Sequence, residues 1–314
     1  MKEEILNVLK QKNGFVSGQE LADIFNVSRT AVWKAITALK KEGYVIESVS
    51  RRGYKLDKEN DILNERELEF YENIYFSDEM DSTNDTAKKL ALDGCPEYTV
   101  VVCNQQKNGK GRLGRKWSSP YGVNIYMSMV LFFDADISKV PQTTLVMGIA
   151  AAKTIRDITG LDAKIKWPND IIIGRKKLCG ILTEMSAQSD RIDFIAIGIG
   201  INVNHTFFPE EIKSKATSLY LETGERIDRN SFMRCVIKKL DTVLSSFFVS
   251  VSLDDEKLFE GLCATIGRSV TVQRNGEELS GIAEGITGSG ELIINSDGKK
   301  TVIGSGEVTV QGIY

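Results

Sequence analysis

Within the first 56 residues, three apolar stripes at helical spacing are followed by two strand-length pieces around Arg51-Arg52-Gly53. No other feature constrains the fold as tightly. Ile5, Leu6 and Leu9 mark the first stripe. Ser17-Gly18-Gln19-Glu20 has the spacing of a capping box and opens a helix through Leu21, Ile24 and Phe25. Asn26-Val27 makes a short turn, and Ser28 caps a third helix. Its buried face is Val32, Ala35, Ile36 and Leu39, an i, i+3, i+4, i+7 pattern. The other face carries Arg29, Thr30, Trp33, Lys34 and Thr37, and Gly43 stops the helix. Tyr44-Val45-Ile46 and Tyr54-Lys55-Leu56 then form a hairpin with a basic tip, against which Trp33 is placed.

Helix, helix, polar-faced helix and basic hairpin is the order of a winged helix-turn-helix. Ser28, Arg29, Thr30, Trp33 and Lys34 would enter a major groove, while Arg51 and Arg52 would reach phosphates or the minor groove. The alternative is a small helical protein-interaction module. Charge favours double-stranded DNA: residues 1–56 hold ten Lys/Arg against six Asp/Glu, a net +4, which leaves −7 for the rest of a chain whose total is −3.

Residues 57–66 are polar and read as a linker. Beyond them, strands are predicted at 99–103, 123–133, 164–167, 171–173, 178–185 and 194–199. Helices are predicted at 85–92, 142–158, 230–249 and 253–263. Short turns such as Gly174-Arg175 argue for a mixed sheet with helices on one side. From residue 267 onward β-branched residues and glycine dominate, and Asn275-Gly276, Gly288-Ser289-Gly290 and Asp297-Gly298 are hairpin signals. The chain is thus an α+β multidomain protein. It has an N-terminal winged helix-turn-helix (1–60), a central mixed-sheet α/β domain (61–264) and a C-terminal small SH3-like β-barrel (265–314).

No run approaches a membrane span, and Met-Lys-Glu-Glu-Ile lacks the build of a signal peptide. Five scattered cysteines, none in Cys-x-x-Cys, suggest neither a disulfide frame nor a zinc site, and a cytoplasmic location is expected. The single histidine, His205, argues against His-centred triads and multi-His metal sites.

Residues 109–117, Gly-Lys-Gly-Arg-Leu-Gly-Arg-Lys-Trp, pack three glycines and four cations into nine positions just after a strand. Glycine lets backbone approach a ligand closely, and the cations suit phosphate or carboxylate. The spacing is not that of a Walker A loop. A solvated basic loop or a nucleic-acid patch is the other reading. Four more motifs accompany it. Asp81-Ser82-Thr83-Asn84 precedes a helix, where a plain N-cap would also explain it. Lys166-Trp167-Pro168-Asn169-Asp170 puts polar groups at a strand end. Lys177-Leu178-Cys179-Gly180-Ile181-Leu182 starts an apolar strand with a lysine. The run 198–204, Gly-Ile-Gly-Ile-Asn-Val-Asn, combines close backbone approach with amides.

Together, in order and with matching separations, these motifs resemble the biotin protein ligases. The N-terminal module makes the chain similar to the bifunctional type that is also a biotin operon repressor. The resemblance implies a two-step reaction. The biotin carboxylate attacks the α-phosphorus of ATP to give biotinyl-5′-AMP and pyrophosphate. A lysine of the biotin carboxyl carrier protein of acetyl-CoA carboxylase, or of pyruvate carboxylase, then takes biotin and AMP leaves.

The resemblance also implies the site. Lys177, Arg112 and Asp170 are catalytic. Lys177 lies between carboxylate and α-phosphate, and Asp170 orients magnesium or the incoming amine. Ser82, Thr83, Asn84, Gln106, Lys110, Gly111, Arg112, Lys177, Gly180 and Gly200 bind biotin. Arg112, Arg115, Trp117, Lys166, Asn169 and Asn202 bind ATP, whose triphosphate Mg2+ neutralises. Arg112 and Lys110 hold the loop over the adenylate. Biotinyl-5′-AMP would act as corepressor by favouring a homodimer on paired operator half-sites. Two departures stand out. The family loop commonly reads Gly-Arg-Gly-Arg, whereas Lys110 follows Gly109 here. The segment 204–219 lacks tryptophan, so an aromatic cover for adenine would have to be a phenylalanine.

Overall fold

The computed structural model describes residues 1–12, 14–57, 61, 63–132, 140–188, 191–250, 259, 261–274 and 277–314. The chain divides into two compact units, Met1–Glu67 and Leu68–Tyr314.

The first unit holds α1 (Lys2–Gln11), α2 (Gly18–Phe25), α3 (Arg29–Lys41) and a hairpin of β1 (Ile46–Val49) and β2 (Gly53–Leu56). The predicted stripes meet in one core: Ile5, Leu6, Leu9, Leu21, Val32, Ala35, Ile36 and Leu39 are buried together. Ser28 Oγ accepts from Ala31 N at 3.2 Å, so the cap on α3 is made. Only half of the predicted capping box forms. Ser17 Oγ accepts from Glu20 N at 3.0 Å, but the Glu20 carboxylate pairs with Lys12 instead of reaching back. Val16 exchanges backbone bonds with Tyr54 at 2.8 and 2.9 Å, which ties the α1–α2 connection to the hairpin. Trp33 does not settle under the hairpin as expected. It is 57% exposed. The hairpin instead holds Arg52 over the Phe15 ring at 4.2 Å. The polar stretch read as a linker contains a buried Leu63 and the start of α4 (Glu65–Leu68), which Asn64 Oδ1 caps by accepting from Glu67 N at 3.0 Å.

The second unit is built on a seven-stranded sheet. Its strands are β3 (Ile74–Met80), β4 (Val100–Gln106), β5 (Ile125–Leu131), β6 (Ala163–Lys166), β7 (Asp170–Ile173), β8 (Lys176–Gln188) and β9 (Arg191–Ile201), in the order β3-β4-β5-β9-β8-β7-β6. β3 runs parallel to β4 and the remaining ladders are antiparallel. Each predicted strand is present. β3 has no counterpart among the predictions, because only its first half is apolar and Ser77-Asp78-Glu79 breaks the pattern on an edge strand. Helices α5 (Thr83–Leu92) and α6 (Val140–Thr159) were expected on one side of this sheet, but they lie on both. Ala87 and Ala91 of α5 pack with Val101, Cys103, Tyr126, Val130 and Ala196. Gly148 of α6 sits against Ile165 and Ile181. Leu182 pairs with Gly198 and Ile181 with Ile199, so these contacts fall on opposite faces of a pleat with period two.

Two short helices, α7 (Glu210–Lys213) and α8 (Leu219–Thr223), precede α9 (Arg229–Ser250), which packs on α6. The helix predicted at 253–263 lies mostly outside the described residues, as does the turn at 275–276. The C-terminal part is a five-stranded antiparallel sheet of β10 (Ser269–Arg274), β11 (Glu277–Ile286), β12 (Leu292–Ser296), β13 (Lys299–Ile303) and β14 (Glu307–Val310), ordered β13-β12-β11-β10-β14. The ladders run from β13 to β14 without a pairing between those two strands among the described residues, so the small sheet domain is seen without the closure a barrel implies. Asp297 (φ +51°) and Gly298 (φ +87°) make the β12–β13 turn with the two left-handed residues of a type I′ hairpin.

Candidate active site and nucleic-acid face

A small cavity of about 50 Å³ lies on the α5 face of the central sheet. Ser82, Thr83, Asn84, Gln106, Lys110, Gly111, Arg112, Lys177, Gly180 and Gly200 all line it, so the structure brings the ten predicted biotin residues together. Its floor carries glycine on paired strands, which lets the Trp117 indole and Lys177 lie directly on the sheet. Gly180 faces Gly200 across the β8–β9 ladder, and Gly198 follows on the same face. A Cβ at Gly198 would stand 2.5 Å from Asn84 Oδ1, and one at Gly200 would stand 2.6 Å from the Trp117 indole.

The polar wall is braced by its own hydrogen bonds. Ser82 Oγ caps α5 by accepting from Asp85 N at 3.4 Å, so the plain N-cap reading also holds. Thr83 donates to Gln106 Oε1 from its backbone N at 2.9 Å and from its hydroxyl at 3.1 Å. Asn84 Nδ2 donates to Glu184 Oε2 at 2.8 Å and to Leu182 O at 3.2 Å. Ser128 Oγ, fully buried, lies 2.8 Å from Thr83 Oγ1 and 2.6 Å from Asn84 Oδ1. Sequence reasoning passed over Ser128. Its one signal is a hydroxyl in the middle of the apolar run of β5.

The glycine-rich loop 109–117 folds on itself. Gly111 N donates to Arg115 O at 2.7 Å and Trp117 N to Gly109 O at 2.8 Å, leaving Leu113 exposed at its tip with φ +56°. Lys110 reaches Asp85 at 2.6 Å. Burial pushes the Asp85 carboxyl up, but Lys110 and Lys88 outweigh that and hold it below its usual range. Lys88 in turn bonds Glu184 at 2.7 Å. A chain of ions therefore runs from the loop to the Asn84 amide. A point charge is enough for Lys110 in this position.

Lys177 owes its direction to a bulge. Ile171 pairs with Cys179 and Ile172 with Lys177, so Leu178 is the additional residue. The local twist turns Lys177 to the Gly180 side, where its Nζ would meet a Gly180 Cβ at 3.2 Å. Lys177 Nζ pairs with Asp170 Oδ1 at 2.6 Å and lies 5.4 Å from the Trp117 ring centroid.

A second cavity of about 560 Å³ adjoins the first, lined by Arg112, Arg115, Trp117, Lys166, Asn169, Asp170 and Asn202 among others. All six predicted ATP residues and Asp170 are thus gathered in it. Arg112 donates to Asn169 Oδ1 and to Gly306 O, each at 3.1 Å, and burial holds its guanidinium below its usual range. It keeps its charge, since arginine titrates far above neutrality. Arg115 pairs with Glu307. Asn169 Nδ2 donates to Ile181 O at 2.7 Å. Asn202 is buried, and its amide donates to Thr217 O at 3.0 Å, so in this state the side chain braces the 215–219 segment. Burial lowers the Lys166 ammonium, and nearby Lys177 and Arg115 act the same way while Asp170 opposes them. Tyr314, Glu307 and Phe208 also line this cavity and were not predicted. Phe208 is the buried one of the Phe207–Phe208 pair and lies tilted against His205, with 4.4 Å between ring centroids and 53° between planes. Among the described residues no group of three His, Cys, Asp or Glu side chains is placed to hold a metal ion.

In the N-terminal unit the N-cap Ser28 and, on α3, Arg29, Thr30, Trp33 and Lys34 are all exposed, and Arg51 and Arg52 are exposed at the hairpin tip. Arg51 takes φ +66°, the left-handed conformation of the turn.

Residues 2–55 match the HTH domain family, 76–202 the Biotin/lipoate A/B protein ligase family and 265–310 the Biotin protein ligase C terminal domain. The bifunctional ligase/repressor BirA of Bacillus subtilis is 38% identical over 311 residues, covering 95% of this chain and 94% of that protein. BirA of Escherichia coli is 30% identical over 290 residues, covering 90% and 89%. The structure of the biotin protein ligase from Aquifex aeolicus in complex with biotin and ATP superposes with a TM-score of 0.66 at 31% identity, covering 77% of this chain and 99% of that one. No helix among the described residues is long and apolar enough to cross a membrane. The chain belongs to the biotin protein ligase family, in its bifunctional ligase/repressor form.

Proposed function

We propose that this chain forms biotinyl-5′-AMP from biotin and ATP where its two cavities meet. It then transfers biotin to a lysine of a biotin carboxyl carrier protein, of acetyl-CoA carboxylase or pyruvate carboxylase. One observation carries this reading: Gly111, Arg112, Trp117, Asn169 and Lys177 line both cavities. The small cavity offers amides and hydroxyls to the ureido edge of biotin through Ser82, Thr83, Asn84 and Gln106. Gly180 and Gly200 put no side chain into that cavity, and the Trp117 indole beside them offers the rings and chain of biotin an apolar wall. The larger cavity offers Lys166, Arg115 and Arg112 to the phosphates of ATP.

The biotin carboxylate then emerges beside Lys177, facing the α-phosphorus. A carboxylate oxygen forms the new P–O bond, and the bond to pyrophosphate breaks. Lys177 and Arg112 offset the charge that builds as two anions meet. In the second step the neutral acceptor amine attacks the biotinyl carbonyl, the C–N bond forms, the C–O bond to AMP breaks with its electron pair leaving on AMP, and the nitrogen gives up one proton to water. Asp170, which pairs with Lys177, orients that amine in this reading. Magnesium is part of the ATP substrate, since Mg2+ is commonly held through one or two carboxylates plus phosphates. Closure of 109–117, held by Lys110 and Arg112, keeps water from the anhydride.

The exposed face of α3 and the hairpin tip give the same chain its operator-binding surface. Biotinyl-5′-AMP acts as corepressor by ordering the loop and favouring a homodimer that spans paired half-sites. The setting is the cytoplasm, which suits five free cysteines.

The test has two readouts. Pyrophosphate release is expected only when biotin and ATP are both present, and release without biotin overturns the ligase assignment. Sheared genomic DNA is expected to yield an enriched palindromic site only with both ligands. Enrichment that ignores them removes the corepressor role.

A further inference from the structure

Lys166 sits at the end of β6, buried, with no carboxylate within 4.0 Å among the described residues. A buried ammonium needs a partner. Among the described residues that partner is an aromatic face: Lys166 Nζ lies 3.7 Å from the centroid of the Tyr314 ring. Tyr314 follows the last strand of the C-terminal sheet. Its backbone N donates to Arg175 O at 3.1 Å, which docks it on the β7–β8 turn of the central sheet. Its hydroxyl donates to Asp170 Oδ2, and the other oxygen of that carboxylate holds Lys177 Nζ at 2.6 Å. One side chain beyond the last strand therefore bears on two of the cations that line the larger cavity, Lys166 by direct contact and Lys177 by way of Asp170.

We propose that Tyr314 is a positioning residue for the nucleotide: its ring presents the Lys166 ammonium to the ATP phosphates, and its hydroxyl fixes Asp170 and, through it, Lys177. This deepens the assignment of the larger cavity to ATP and rests on it. The ring suits the task for a physical reason. A carboxylate beneath Lys166 would neutralise it and repel a polyphosphate. An aromatic face holds the cation by its quadrupole without carrying a negative charge. The two contacts separate into two functions. The ring governs how tightly ATP is held. The hydroxyl governs how well Lys177 is placed for the chemical step.

Biotin-dependent ATP–pyrophosphate exchange, measured with each substrate varied in turn, tests this on the full chain. Tyr314→Ala is expected to raise KM for ATP about tenfold, with KM for biotin changed by less than about twofold. Tyr314→Phe keeps the ring and loses the Asp170 bond, so KM for ATP should stay close to that of the parent while kcat falls by about three- to tenfold. In a Lys166→Met background, Tyr314→Ala should add little to KM for ATP, because the cation it presents is already gone. Melting temperature is read for every variant. If Tyr314→Ala raises both KM values alike, or leaves KM for ATP unchanged, the proposal is overturned. Full additivity of Tyr314→Ala and Lys166→Met overturns it as well. If the parent shows no biotin-dependent exchange, the ATP assignment itself fails, which is a distinct result.

Discussion

Gly198→Ala places one methyl group against the amide around which the small cavity is built. The new Cβ would stand 2.5 Å from Asn84 Oδ1 and 3.1 Å from its Cγ, whereas ordinary contact begins at 3.4 Å. The amide must therefore retreat by about 0.9 Å. It is not free to do so. Asn84 sits in the first turn of α5, and its side chain is held by Ser128 at 2.6 Å, Glu184 at 2.8 Å and Leu182 O at 3.2 Å. Such a shift away from Gly198 carries one or both of the short contacts to about 3.5 Å, the limit of a hydrogen bond. The Glu184 bond has a charged acceptor and is worth about 1.5–3 kcal/mol, and the neutral one about 0.5–1.5 kcal/mol. Biotin affinity should fall by about 30-fold or more. Titration calorimetry with biotin alone reads this, and a melting curve shows whether the fold is retained. If the alanine variant binds biotin within about threefold of the parent at an unchanged melting temperature, Asn84 is not the fixed ligand described.

Ser128→Ala deletes a buried hydroxyl that touches both Thr83 and Asn84. KM for biotin should rise about tenfold with KM for ATP unchanged, measured by pyrophosphate exchange. Arg29→Ala on α3 and Arg51→Ala in the hairpin should each weaken DNA binding and flatten the plot of log affinity against log salt by about one unit, read by fluorescence anisotropy. Burial lowers Lys166, and Lys177 and Arg115 deepen the shift against Asp170. Its ammonium is therefore lost at a lower pH than that of a free lysine. KM for ATP should rise on the alkaline side earlier than a free lysine would dictate, and Lys166→Arg should remove that limb of a KM–pH profile.

Local chemistry was legible in the sequence wherever it repeats in short range. The i, i+3, i+4, i+7 stripe of α3 became the buried face of that helix, and Asp297-Gly298 made the predicted hairpin turn. The motifs that carry glycines and cations converge on two adjoining cavities, because each sits where a strand ends or begins and the sheet aligns those ends. What depends on pairing between distant segments was not legible. β3 is an edge strand with a charged half. Helices on both faces of the sheet follow from the register of β8 against β9, which no single segment encodes. Ser128 has one odd hydroxyl as its signal, and Tyr314 lies more than 140 residues from the aspartate it meets. Glu20 completes a capping-box pattern in sequence, yet Lys12 takes its carboxylate.

The junction of the two cavities at Lys177 is tested most directly by a single variant. Lys177→Met should be assayed for biotin-dependent ATP–pyrophosphate exchange, with biotin and ATP binding measured alongside by calorimetry. The expected result is loss of exchange by about 10²-fold or more while each substrate alone still binds within about tenfold of the parent. Exchange within a few-fold of the parent would place the reacting carboxylate and α-phosphate elsewhere, and the two cavities would not be the two halves of one active site.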